Sequence, residues 1–180
     1  MVKRLRAFLQ ANWLALRVIV TFIALIMIFF FVLDWEPILA YVDIGRGLAR
    51  IAALASWAIL RGLGVPLGFD VRLTDTILST GNFTVDVSPA CSGAVPTSIY
   101  LAAVLAYPTG WPARGLGALI GVLAINFINV FRVVALFLIG LYLPTMFHET
   151  HVYVAQALLI CVAVAAWMYW VSRFADAPAV

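Results

Sequence analysis

The chain has 180 residues, 66% of them hydrophobic and only 11% charged, and a mean hydropathy of +1.11. That is the composition of one domain made for a lipid bilayer. A formal net charge of +3, from 11 basic and 8 acidic residues, is too small and too dispersed for a nucleic-acid footprint.

Lys3, Arg4, Arg6 and Arg17 precede the uncharged run Val18 to Leu33, which can span if Trp13 and Trp35 lie at the two interfaces. No small-x-small cleavage site follows, because Phe29 to Trp35 stand where one would be needed. Residues 1–36 are therefore expected to be a retained anchor, basic end in the cytoplasm, with Asp34, Glu36 and Pro37 on the far side.

Ile38 to Val65 is oily except for Asp43, Arg46, Arg50 and Arg61, which fall within a helical sector about 60° wide. Charges at the bilayer centre cost several kcal/mol each. An amphipathic helix lying in the outer interface is the cheaper arrangement; a span with its wet stripe turned inward is the alternative. Gly62, Gly64, Pro66 and Gly68 end it. Beyond them Phe69, Val71 and Leu73 alternate with polar residues, and after Ser79-Thr80-Gly81-Asn82 so do Phe83, Val85 and Val87. This pattern predicts a β-hairpin, and since open strand edges cannot lie in hydrocarbon, it is expected on the outer surface. Residues 37–90 thus form an interfacial helix and hairpin.

The second hairpin strand delivers the chain to Ser88-Pro89-Ala90-Cys91-Ser92-Gly93. Pro89 lacks an N–H, Gly93 permits close approach or positive φ, and a thiol just before a helix feels the positive end of its dipole. Those features suit a reactive cysteine; a small buried packing residue is the alternative. A second span then runs from Cys91 to Tyr107, followed by a tight cytoplasmic turn from Pro108 to Arg114.

A third span starts at Gly115 and meets Asn126, Asn129 and Arg132. From Arg114 to Arg132 the rise is about 27 Å, nearly the hydrocarbon thickness. Arg132 is therefore expected on the outer side with Cys91. Asn129 and Arg132 face one way, with Asn126 a turn earlier on the same side, and polar residues in such a helix turn inward and mark a site; for Asn126 an interhelical hydrogen bond is the better reading. Val133 to Leu143 is either a continuation or a re-entrant piece. Pro144 to His151 forms the last outer connection, and Val152 to Val171 the final span, ending at Arg173 inside. Cys161, mid-span, is expected to be inert packing at a depth that forbids a disulfide with Cys91.

The expected fold is an all-α integral membrane helical bundle of about four to six transmembrane helices, with an outer-face amphipathic helix and a small β-hairpin. It is one domain, 1–180, in which 91–174 form the helical core. Cys91, Arg132 and His151 then meet at one membrane face. A thiol, an imidazole and a guanidinium are the parts of a cysteine peptidase: nucleophile, general acid/base and a fixed cation for the oxyanion.

Ala90-Cys91-Ser92-Gly93, then Asn129-Val130-Phe131-Arg132, then His151 opening the last span with Gln156 after it, resemble the exosortase/archaeosortase family, most like its compact exosortase H branch. The resemblance runs from about Val65 to Trp170. It implies Cys91 as nucleophile, Arg132 as oxyanion or thiolate partner and His151 as acid/base, with Ser92, Gly93 and Asn129 in support. It further implies a protease or transpeptidase of the inner membrane, with its site facing the periplasm or exterior. Its substrates would be membrane-anchored proteins ending in a short motif, a transmembrane helix and a basic cluster. At Ala94 to Thr97, including Pro96, the chain departs from relatives that carry a bulkier or charged residue, which bears on substrate preference. His148 competes with His151, and with Glu149 is expected to be a solvated loop residue. No cofactor and no metal are expected, because the spacing of His148, Glu149 and His151 is not a zinc motif. A non-catalytic membrane scaffold retaining the same fold is the alternative, and a small transporter lacks the expected inverted repeat.

Overall fold

The computed structural model describes residues 12–35, 43–81 and 83–175. Lys3, Arg4, Arg6, Glu36, Pro37 and the hairpin position Asn82, on which part of the expected topology rests, lie outside the described residues.

The uncharged run forms α1, Trp13–Asp34. It buries no residue and packs against the helix that follows Cys91. Its exposed Ile19, Ile23, Met27 and Phe31 suit a helix solvated by lipid.

The amphipathic segment forms α2, Ile44–Leu67, capped by the Asp43 carboxylate, which accepts the Arg46 N–H at 2.7 Å. Gly68 ends it at φ +77, its N–H donating back to the Gly64 carbonyl. The buried stripe is Ala49, Ala52, Ala53, Ser56 and Leu60. Small side chains at that spacing let a neighbouring backbone approach closely, and the Ser56 hydroxyl reaches the Val130 carbonyl at 3.4 Å.

The expected hairpin has a further strand. β1 (Arg72–Thr74), β2 (Ile77–Thr80) and β3 (Phe83–Asp86) form an antiparallel meander in the order β1-β2-β3. The extra turn arises at Asp75, which holds φ +56, a left-handed conformation that aspartate tolerates better than most residues. Arg46 and Arg50, from the wet stripe of α2, pair with the Asp75 carboxylate at 3.2 and 2.6 Å. A first core forms where sheet, α2 and the long helix below converge: Leu60, Val71, Leu78, Val87, Val133 and Phe137.

After Cys91 come α3, Ala94–Ala106, and α4, Trp111–Tyr142. At 32 residues α4 is about 48 Å long and takes in Val133 to Tyr142, which makes that stretch a continuation of the helix and not a re-entrant piece. Short turns at Pro144–Met146 and Phe147–Glu149 and a π-helical turn at Thr150–Val154 lead into α5, Ala155–Phe174. A second core joins α3, α4 and α5 through Tyr100, Val104, Ile125, Leu159 and Trp170. Trp170 donates to the Ala113 carbonyl at 2.7 Å and Tyr100 to that of Gly117 at 2.9 Å.

Among the described residues four helical segments are long and apolar enough to cross a membrane: α1, α2, α4 and Pro144–Phe174. The chain is a multi-pass helical membrane bundle with one small sheet. The set differs from the expected spans, since α2 meets the length and apolarity of a span while α3, at 13 residues, rises only about 20 Å. Gly93 before it and the Tyr107–Pro108 turn after it cut α3 short.

Two predictions follow from this packing. A Cβ at Gly121 would overlap the Tyr100 ring, whereas at Gly115 it meets nothing within 4 Å. Gly121→Ala should destabilise by about 1–3 kcal/mol through overpacking, and Gly115→Ala should be neutral or slightly stabilising, as read by thermal unfolding in detergent. Asp75, hydrogen-bonded by Arg50 and then Arg46, is held below its ordinary carboxylate pKa. Its stabilising contribution is therefore present above the unfolded carboxylate value and lost as pH falls through the lowered one. Hydrogen exchange of β1 and β2, corrected for intrinsic rates, should show protection falling there, and Asp75→Asn should lower it already at neutral pH.

Candidate active site

β3 runs straight into the site. After Ser88, a 3₁₀ turn at Pro89–Cys91 is closed by the Cys91 N–H donating to the Ser88 carbonyl at 2.8 Å. The Ser92 hydroxyl donates to the Pro89 carbonyl at 2.6 Å and accepts the Ala94 N–H at 3.2 Å, which satisfies one of the orphan donors opening α3. Gly93 sits at φ +83, and a Cβ there would lie 3.3 Å from the Asn129 amide. Glycine thus suits this position twice, by conformation and by space.

α4 supplies the opposite wall. Asn129, fully buried, donates to the Cys91 carbonyl at 3.0 Å, and its own side-chain oxygen accepts from Arg132 Nη1 at 3.3 Å. The three-residue offset places both side chains on one helical face. Arg132 is only 7% exposed, and among the described residues its Nε has no hydrogen-bond partner. A buried donor without a partner costs free energy unless something else meets it.

His151 approaches from the third side, on the π-helical turn. Its Nε2 lies 3.9 Å from Cys91 Sγ, within reach of a long sulfur contact. Its ring stacks on Phe147, four residues earlier, with centroids 5.9 Å apart and planes inclined by 8°. The ring's other nitrogen, Nδ1, is buried and has no partner among the described residues.

These three side chains share a cleft of about 300 Å³ with Phe83 to Ser88, Val133, Leu136 and Phe147. Cys91, Arg132 and His151 are thus brought together, with Asn129 joined to the first two. Asn126 is not part of the cleft: it donates to Thr97 Oγ1 at 3.3 Å and to the Val122 carbonyl at 2.8 Å, tying α3 to α4. His148 and Glu149 are exposed and do not line the cleft. Cys161 is exposed on α5 instead of packed inside the bundle, because it lies two residues, about 200° of helix, from the buried Leu159. Sequence reasoning missed Phe147, although its four-residue spacing from His151 was a readable signal. It also missed Gly140, where a Cβ would overlap the Phe83 ring; only the tertiary fold reveals that contact.

Residues 8–170 match the family described as transmembrane exosortase. The chain belongs to that family. No curated protein and no solved structure matches it. The region matched to the exosortases takes in every cleft residue named above, together with nearly all of the membrane bundle.

The Asn129 linkage yields a prediction. Asn129→Leu keeps the branched outline at somewhat greater bulk but leaves the Cys91 carbonyl and Arg132 Nη1 without their partner, so thermal unfolding should show a loss of at least about 1–3 kcal/mol. Gly93→Ala should produce a similar loss through strain and through displacement of the same amide.

Proposed function

We propose that this exosortase-family protein is a membrane-embedded cysteine protease or transpeptidase that cleaves C-terminal sorting signals of exported proteins. The observation that carries the reading is the approach of His151 Nε2 to Cys91 Sγ at 3.9 Å, in a cleft where Arg132 Nε is buried and unpartnered. Each group then has one role. His151 Nε2 takes the thiol proton, and the sulfur attacks the carbonyl carbon of the scissile peptide bond. Negative charge develops on that carbonyl oxygen, for which the Arg132 guanidinium, always protonated and therefore no base, is the available donor. The C–N bond breaks as the imidazolium returns its proton to the leaving amine, and a thioester on Cys91 is left. Water or an acceptor amine attacks the thioester and frees the thiol.

The substrates on this reading are membrane-anchored proteins with a short motif, a transmembrane helix and a basic cluster. The protein itself sits in the inner membrane, cleft outward. Arg114, stacked on Trp111 at 4.9 Å, and Arg173 lie near the helix ends joined by the Trp170–Ala113 hydrogen bond, and support placing that end in the cytoplasm.

The test is processing in cells of exported proteins bearing such signals, read by mass spectrometry as cleaved against full-length chain. Cys91→Ala should abolish cleavage. His151→Ala should slow it by about 10²–10⁴, and Arg132→Gln by about 10²–10³. Cleavage that survives Cys91→Ala overturns the reading and leaves a scaffold role in its place.

A further inference from the structure

The cleft is bordered by six consecutive residues, Phe83 to Ser88. A strand that offers a face contributes alternate residues; a strand that contributes every residue offers its edge. Among the described residues β3 is the last strand of the sheet, paired only to β2. The register Leu78↔Val85 and Thr80↔Phe83, with the Val87 N–H donating to the Thr76 carbonyl at 3.0 Å, fixes which main-chain groups face β2. In an antiparallel pair this alternates, so Phe83, Val85 and Val87 point theirs inward. Thr84 and Asp86 point theirs outward, and both residues are exposed. Among the described residues these outward N–H and C=O groups have no main-chain partner. Five residues beyond Asp86 stands Cys91.

We propose that the protein undergoing cleavage binds as a fourth strand, its extended segment pairing with the outer edge of β3 through Thr84 and Asp86 and so laying a peptide bond against Cys91. The inference rests on the functional reading above and adds how the substrate is held. Main-chain pairing supplies affinity and alternate side chains supply selectivity in strand addition. Val133, Leu136 and Phe147 form the facing wall, so the segment presents apolar side chains to it. An extended strand also holds its carbonyls at a fixed spacing, which suits a nucleophile anchored by the same sheet.

The test uses the full-length protein in nanodiscs and two reagents with one electrophile: chloroacetone and acetyl-Val-Ala-Val-Ala chloromethyl ketone. Each alkylates Cys91, forming a C–S bond as chloride leaves and the thiol proton passes to solvent. The peptide reagent should react about tenfold faster or more than chloroacetone. Thr84→Pro removes an outward N–H without touching the ladder to β2, and should reduce that ratio by about fivefold or more. On the unaltered protein, N-methylation of the peptide reagent should lower its rate at alternate amides only. That arm is independent of whether the proline variant folds. Strand addition is overturned if the parent shows no peptide advantage, or if the advantage ignores N-methylation. Should Cys91→Ala abolish processing in cells while these ratios stay flat, strand addition alone has failed; should processing survive Cys91→Ala, the functional reading has failed first.

Discussion

A single half-buried hydrogen bond, from the Asn129 amide to the Cys91 carbonyl, determines how the rest of the cleft is arranged. A main-chain carbonyl left unpaired in a low-dielectric interior costs on the order of 1–3 kcal/mol. The end of the 3₁₀ turn is therefore pinned to one rung of α4. Pinning it there forces the chain to reverse at Gly93, where a left-handed residue flush against the amide is needed. It also holds Asn129 so that its oxygen faces Arg132. Asn129 links the three into a unit, because without it both the Cys91 carbonyl and Arg132 Nη1 lose their partner.

That unit stands at the boundary between the two cores. Below it Tyr100, Ile125 and Leu159 knit three helices together; above it Val133, Val134 and Phe137 carry the sheet and α2. An arginine buried at such a junction is costly unless its donors are met. One is met by Asn129, and the orphaned Nε belongs to the cleft wall. The sheet is held in turn by charge: Arg46 and Arg50 reach across from α2 to Asp75. These are solvent-exposed pairs of small individual worth, and together they hold the β1–β2 turn against α2.

Much of this was legible in the sequence for identifiable reasons. Hydropathy marks α1 and α5, the charge sector marks α2, and period-two alternation marks β3. The polar residues at helical spacing in an oily run announce Asn129 and Arg132. What stayed hidden depends on contacts between distant segments. The β1–β2 turn carries no glycine, so the second strand could not be separated from the first. Arg46 and Arg50 showed a wet stripe without revealing Asp75 as its partner. The length of α4 was obscured because Arg132 sits mid-helix, where a polar residue reads as the end of a span. The depth at which Cys161 lies says nothing about which way it faces.

The π-helical turn at Thr150–Val154 has one further consequence. A π turn holds an extra residue relative to an α turn, so α5 is rotated by about 100° from where a regular helix beginning at Phe147 would have put it. The orientation of the His151 ring, stacked on Phe147, is thereby decoupled from the orientation of the lipid-facing surface that follows. Sequence drift in the oily outer stripe of the last helix can then proceed without turning the imidazole. In effect the inserted residue is a mechanical joint, with solvation by the bilayer governing one side and the aim of a single side chain the other.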